Sequence, residues 1–348
     1  MTTLLDLDRD RPAAASAAAG SATSTPTARR GAARDPRNSR RNLAIAVGGG
    51  LLVAGSVVSL LIGAGTLTWD LLWISRVPRT VAVLLAGAAM ALAGLLMQML
   101  VRNRFVEPST VGTTESAGLG LLLANLLAPG LPLSGKMLVA VVTALLGTFL
   151  FLRILRAIPP RSSVIVVPLV GMMLSGIISA VATYIAYRTD LLQAMGIWMT
   201  GDFSGVMRGR FELLWVLALV GVICWFAADR FTVASLGEST ATSLGLRYQA
   251  VLALGLGLVA ITAAITVVVV GALPFLGLVV PNLVCSVLGD NLRRNLPVVA
   301  ISGALLVLIC DILARTINQP FEVPVGVVVG VVGAAIFLVM LLRRGQRG

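Results

Sequence analysis

Few side chains in this 348-residue sequence could do chemistry, and their spacing says which kinds. Gly130-Leu131-Pro132-Leu133-Ser134-Gly135-Lys136 has the spacing of a phosphate-binding loop, whose backbone N–H groups and lysine hold phosphate oxygens. The next residue is Met137, where a magnesium-holding Ser or Thr belongs, and no strand-like run precedes the glycine. The match is a decoy, and no nucleotide site is expected in the chain. Histidine is absent, which removes imidazole acid–base catalysis and the commonest metal ligand. Cys224, Cys285 and Cys310 stand in apolar runs without disulfide or metal-ligand spacing, as small packing residues do.

The remaining candidates are charges in or beside apolar sequence, where each costs about 2.5–3.5 kcal/mol at a membrane-helix centre. Glu115 has no partner close in sequence, so it either faces a wet cavity or is protonated, and it is a candidate pathway residue. Asp311 and Arg315, at i and i+4, can pair on one helix face. They are either a structural pair or an outer docking charge. Arg76-Val77-Pro78-Arg79 sets two cations around a proline. They either snorkel to the interface or attract acidic groups on an external partner. The chain has neither paired intramembrane aspartates nor a carboxylate-rich metal motif, which argues against an intramembrane protease or prenyl-transfer enzyme. A rival from another class is an ion-coupled secondary transporter titrating Glu115 and Asp311.

One polar helical stretch, Ser235 to Leu246, separates two long apolar blocks. A membrane chain with no energy source of its own must take energy from a partner. A short polar helix pair on the inner face is where such a partner would dock.

The elements that position these residues follow from composition. The chain is 57% hydrophobic and 12% charged, with a mean hydropathy of +0.97, far outside the soluble range. Apolar runs long enough to cross ~30 Å of hydrocarbon recur ten times. They fall at roughly 43–64, 79–101, 110–128, 135–156, 163–187, 211–228, 248–271, 275–289, 295–314 and 325–342. The runs do not alternate as barrel strands would. An all-α polytopic membrane protein with about ten transmembrane helices is therefore expected. With both termini cytosolic, 20 of the 27 Lys and Arg lie inside, and the opposite orientation would put the excess outside. The net charge of +12 is a topology signal, since basic residues scattered over short loops do not form a nucleic-acid-binding face. Residues 1–41, rich in Ala, Ser, Thr, Pro and Arg, suggest a disordered basic cytosolic tail that touches anionic headgroups. Residues 42–344 form one integral domain.

Gly87, Ala91 and Gly94 share one helix face, and Gly326, Gly330 and Gly333 nearly do, as small-residue stripes at crowded interfaces would. Two stretches, Val106 to Glu115 and Gly271 to Asn282, interrupt helical pattern with Pro and Gly. Interrupted backbone at membrane depth is tolerated only where protein or a watery cavity surrounds it. Such pairs in the two halves of a transporter often flank its pathway.

Several separated motifs between residues 43 and 344 resemble those of the iron-siderophore and cobalamin ABC-importer permease family (FecCD type). Arg76-Val77-Pro78-Arg79, with Ala86 to Gly94 and Gln98, resembles the family's opening block. Arg102 to Pro108 resembles its RNPLADP segment, with Arg104 and Phe105 in place of Pro and Leu. Ser235 to Leu246 resembles its ATPase-docking helix pair, and Gly271 to Pro281 its GXIGFVGLIVPH segment, after which Asn282 replaces His. Asp311 to Arg315 resembles ADTLAR, and Glu322 to Gly326 resembles ELPVG.

The resemblance implies a cobalamin-importer-permease-like fold and a transport subunit, not an enzyme, of a binding-protein-dependent importer in the bacterial cell membrane. ATP and magnesium would sit in partner ATPase subunits, with no cofactor in this chain. Leu236, Gly237, Glu238, Thr242, Leu244 and Gly245 would fit the ATPase cleft. Arg76, Arg79 and Arg315 would meet acidic residues of an extracytoplasmic substrate-binding lipoprotein. Asn103, Phe105, Ser162 and Ser163 would lie near the cytosolic gate, and Glu115 along the pathway. A second permease copy or a paralogue would complete a dimer. The implied cargo is a ferric siderophore, with haem or cobalamin as alternatives.

Overall fold

The computed structural model describes residues 36–63, 68–158, 166–209, 211–289, 291–318 and 321–345. Helices account for nearly all of them. Among the described residues, the one β pairing is an isolated parallel bridge between Thr200 and Ala272. In chain order the helices are α1 (Pro36–Leu61), α2 (Trp69–Leu71), α3 (Val77–Leu100), α4 (Thr113–Leu127), α5 (Leu133–Ala157), α6 (Val166–Arg188) and α7 (Leu192–Met199). They continue with α8 (Trp215–Ala234), α9 (Glu238–Ser243), α10 (Tyr248–Val270), α11 (Leu276–Leu288), α12 (Leu292–Thr316) and α13 (Val325–Gly345). A π turn, Leu72–Arg76, joins α2 to α3.

Each of the ten expected spans holds a helix. Eight segments among the described residues are long and apolar enough to cross a membrane. The third and eighth spans are filled by α4 and α11, which have 15 and 13 residues. Both are short because the chain enters them through non-helical backbone. Helix α1 opens at Pro36, ahead of the tail boundary expected at Arg41, and a proline at a first helical position loses no backbone bond. Most of the expected tail lies outside the described residues.

Burial ranks the helices. The span containing α3 is 78% buried and α10 is 67% buried, whereas α1 is 6% buried. The first two form the axis of the domain, and α1 lies at its edge. Close approach on α3 depends on its small-residue stripe. A Cβ on Gly94 would lie 2.0 Å from the Gly277 carbonyl oxygen of α11, and one on Gly87 would lie 2.8 Å from the Gly303 oxygen of α12. In lipid, where helices gain nothing from hiding from water, such contact supplies the dispersion attraction that holds them. The stripe on α13 behaves likewise, with Gly326 against Gly201 and Ala272, and Gly333 against Phe275.

The two interrupted stretches are joined to each other. Between α3 and α4 the chain forms a single 3-10 turn, Ser109–Val111, and then a left-handed Gly112 at φ +82°. Ahead of α11 it passes Gly271 at φ +87° and Phe275 at φ +61°, a left-handed conformation uncommon for a large side chain. The buried Glu107 carboxyl accepts from Ser109 Oγ (2.7 Å) and from the Phe275 backbone N–H (3.1 Å), placing an acidic group at the N-terminus of α11. Pro281 lies inside α11 and has no N–H to give the carbonyl four residues earlier, that of Gly277. Gln98 Nε2 from α3 donates to that oxygen at 3.0 Å instead. One side chain therefore satisfies the backbone at the point where α3 and α11 touch.

Candidate functional site

The inner-face segment at 235–246 differs from the expected helix pair. It forms one six-residue helix, α9, because glycines at positive φ bound it on both sides. Gly237 (φ +107°, ψ 163°) occupies backbone space that is essentially glycine-only, and Gly245 (φ +80°) turns the chain back towards α10. The Arg102 guanidinium lies 3.0 Å from where a Cβ on Gly237 would be. Ala241 anchors α9 with no exposed surface, while Glu238, Thr242 and Gly245 are exposed. Leu236 and Leu244 flank the helix at 55% and 65% exposure. The result is a small projection with two apolar shoulders and a polar crest. It is tied to the bundle by the Gln249 amide of α10, which donates to Glu238 Oε1 at 2.8 Å, and by Arg156 of α5, which donates to Gln249 Oε1 at 2.9 Å. These two hydrogen bonds join α9 to α10, the second axial helix, and α10 to α5.

At the other end lie Arg76, Arg79 and Arg315, the arginines that the resemblance would have meet an extracytoplasmic binding protein. They are only 7%, 8% and 5% exposed and turn inward. Arg79 donates to Asp311 Oδ1 from Nε (3.1 Å) and Nη2 (2.8 Å), and pairs with Glu322 at 2.6 Å. Arg315 meets Asp311 at 2.5 Å, Ser59 Oγ at 2.6 Å and the carbonyls of Ser59 (3.0 Å) and Ile62 (3.1 Å). Arg76 donates to the carbonyls of Leu60 (2.9 Å) and Leu61 (3.2 Å). The physical reason is the end of α1. Its final carbonyls have no intrahelical donors and carry the negative end of the helix dipole, and guanidinium groups satisfy both needs. Of the two alternatives for Asp311 and Arg315, the structure forms the structural pair. Asp311 is fully buried and lies between the two guanidinium groups.

The gate candidates separate. Asn103 is buried, and its Oδ1 accepts from the Phe105 N–H at 2.9 Å in a local turn. Phe105 meets Phe337 of α13 edge to face, with ring centroids 6.2 Å apart. Ser162 and Ser163 lie outside the described residues. Glu115 lines a cavity of about 280 Å³ with Ser109, Thr114 and Thr200, and Ala272 to Pro274 and Gly326 complete its lining. Glu115 Oε2 and Thr114 Oγ1 have no hydrogen-bond partner among the described residues. At ~30 Å³ per water, the space suits several waters. Both interrupted stretches border it, as the sequence pattern suggests.

Sequence reasoning did not single out Gln98, Glu107, Gln249 or Glu322 for the roles they take. A glutamate beside a proline in so apolar a chain was the available signal for Glu107. Lys136, the lysine of the decoy loop, sits in the first turn of α5 and donates to Asn125 Oδ1 at 2.7 Å, a local contact.

Ten spans with an inner projection between the sixth and seventh are the architecture that the resemblance implies. The profile of the FecCD transport family matches residues 42–343. The chain belongs to that family. Among its relatives, the petrobactin import system permease protein YclN of Bacillus subtilis is 45% identical over 305 residues, covering 84% of this chain and 96% of that protein. The ferric-anguibactin transport system permease protein FatD of Vibrio anguillarum is 40% identical, covering 82% and 94%. The vitamin B12 import system permease protein BtuC of Klebsiella pneumoniae is 38% identical, covering 80% and 84%. A solved chain from an inward-facing metal-chelate type ABC transporter superposes with TM-score 0.74 at 26% identity, covering 87% and 99%. As a FecCD protein with these apolar spans, the chain is a multi-pass protein of the bacterial cell membrane.

Proposed function

We propose that this FecCD chain is the membrane conduit of a ferric siderophore importer and is driven by separate ATPase subunits. The observation that carries the coupling is α9, an exposed projection bounded by Leu236 and Leu244 and tied to α10 through Glu238 and Gln249. A partner that closes on ATP moves α9, and packed helices carry that displacement to the interrupted stretches, where bistable packing opens or closes a path. Phe105 against Phe337 forms the inner closure, and the Glu115 cavity is a wet station beside the path. An extracytoplasmic lipoprotein delivers the cargo. A second permease copy or a paralogue supplies the facing half, meeting the exposed apolar faces of α6 (Met172, Met173 and Ile177) and α13 (Val327 and Val331).

Support for a siderophore cargo comes from the relatives named for petrobactin and ferric anguibactin, which are 45% and 40% identical, above the vitamin B12 relative at 38%. The test is uptake of radiolabelled iron–siderophore by cells lacking the chain, complemented with wild type or Glu238→Arg. Wild type restores uptake. Glu238→Arg reverses the charge at the start of α9 and is expected to abolish uptake while the protein still inserts. Full uptake by that variant refutes coupling through Glu238. Restored cobalamin uptake without siderophore uptake refutes the cargo.

A further inference from the structure

A groove on the outside of the bundle shares only Arg156 and Gln249, at its mouth, with the scheme above. It runs between α5 and α10 and encloses about 540 Å³. Val142, Leu145, Leu146, Phe149 and Leu152 form one wall, and Leu252, Ala253 and Leu256 form the other. Its floor is open at Gly257, where an added Cβ would meet nothing within 4 Å. From Val142 to Arg156 the α5 wall rises about 21 Å, at 1.5 Å per residue. The chemistry changes sharply along this length. The deep part is aliphatic and aromatic, whereas Arg153, Arg156 and Gln249 line the cytosolic mouth. No Asp or Glu lines the groove. Arg156 is held over the opening by its 2.9 Å hydrogen bond to Gln249, so part of the ordering needed to bind a ligand is already in place.

We propose that this groove is a binding site for an anionic phospholipid, with one acyl chain along α5 and α10 and the phosphate between Arg153 and Arg156. Three observations favour a lipid. The walls are exposed where the bilayer lies, with Leu146 61% and Phe149 60% exposed. The groove's lining residues run along about 21 Å of α5, a length that suits an acyl chain. The basic groups sit at one end, on the cytosolic side given by the positive-inside count, where anionic headgroups meet clustered arginines. Two guanidinium groups without a carboxylate favour an anionic headgroup over a zwitterionic one, because a choline ammonium would be repelled there.

Phosphatidylglycerol and phosphatidylcholine, each with a photoactivatable group in one acyl chain, test the site in membranes containing the assembled importer. Labelled peptides are mapped by mass spectrometry. Phosphatidylglycerol is expected to label residues 142–152 and 252–257 roughly tenfold above phosphatidylcholine. The α8 face at Val222 and Phe226 should label equally with both lipids. Arg153→Ala with Arg156→Ala should bring groove labelling by phosphatidylglycerol down to the phosphatidylcholine level. Gly257→Leu, whose Cβ would meet nothing within 4 Å, puts a side chain into the groove and should lower groove labelling by either lipid. Equal labelling by the two lipids, or a preference that survives the double arginine variant, overturns the proposal. Thiol cross-linking of two copies through Leu146→Cys also overturns it, since the groove would then be an interface between permeases.

Discussion

Removing the Arg79 guanidinium would leave Asp311 fully buried with Arg315 as its remaining cation, and Glu322 without its partner. Breaking a buried pair from one side costs about 3–5 kcal/mol, because the stranded charge keeps its desolvation penalty. Arg79→Ala is therefore expected to lower the melting temperature in detergent sharply. Arg79→Lys should recover only part of the loss, since one ammonium cannot reproduce a fork that reaches both Asp311 and Glu322. A melting curve for Arg79→Ala that matches wild type would falsify the internal role of the cluster. A docking role alone predicts that outcome, with weaker recognition of the binding protein as the only defect. Gln98 makes a parallel case. Gln98→Leu removes the donor to the Gly277 carbonyl, which Pro281 cannot replace, at a cost of about 1–3 kcal/mol. Loss of stability on that scale should appear in thermal unfolding, whereas an unchanged transition argues that another donor takes over.

Helix pairs are held by what is missing from their surfaces. Where α3 crosses α11, any side chain on Gly94 meets backbone at 2.0 Å, and backbone cannot swing aside as a flexible side chain can. Gly94→Val is expected to prevent close packing and reduce folded protein in the membrane. Gly49→Ala on α1, where a Cβ meets nothing within 4 Å, should be neutral. Size-exclusion profiles of the two variants provide the comparison, and equal profiles would count against the α3–α11 crossing. The stripe on α3 was apparent from its i, i+4, i+7 spacing. Its partners were not, because spacing identifies a face and says nothing about which helix covers it. The polar stretch at 235–246 shows the same division. Its exposure followed from composition, while its single helix depended on Gly237 and Gly245 adopting positive φ.

Across the whole chain, orientation is the property with the most direct test. The positive-inside count puts both termini and α9 on the cytosolic face, and the turn at Gly130 outside. Single-cysteine reporters in a cysteine-free background should separate cleanly. Ser239→Cys should react with an impermeant thiol reagent in inverted vesicles, and Gly130→Cys in intact cells freed of outer barriers. The reverse pattern would put α9 on the outer face, where it could not meet a cytosolic ATPase. Family membership and the 0.74 TM-score similarity agree with a ten-segment bundle, two of whose segments are too short to cross on their own.

Composition and period alone determined the membrane class, the ten apolar segments and the polar stretch on one face, while separate sequence motifs carried the likeness to one transporter family. All of these arise from residues near one another in sequence, where hydropathy and 3.6-residue spacing act. Tertiary structure alone decided where the charges went. Arg79 and Asp311 are 232 residues apart, Ser59 and Arg315 are 256, and Glu107 and Phe275 are 168. No local rule relates such positions. A buried charge or an orphaned carbonyl in a low-dielectric interior must find a partner, and only the folded bundle determines which one is within reach.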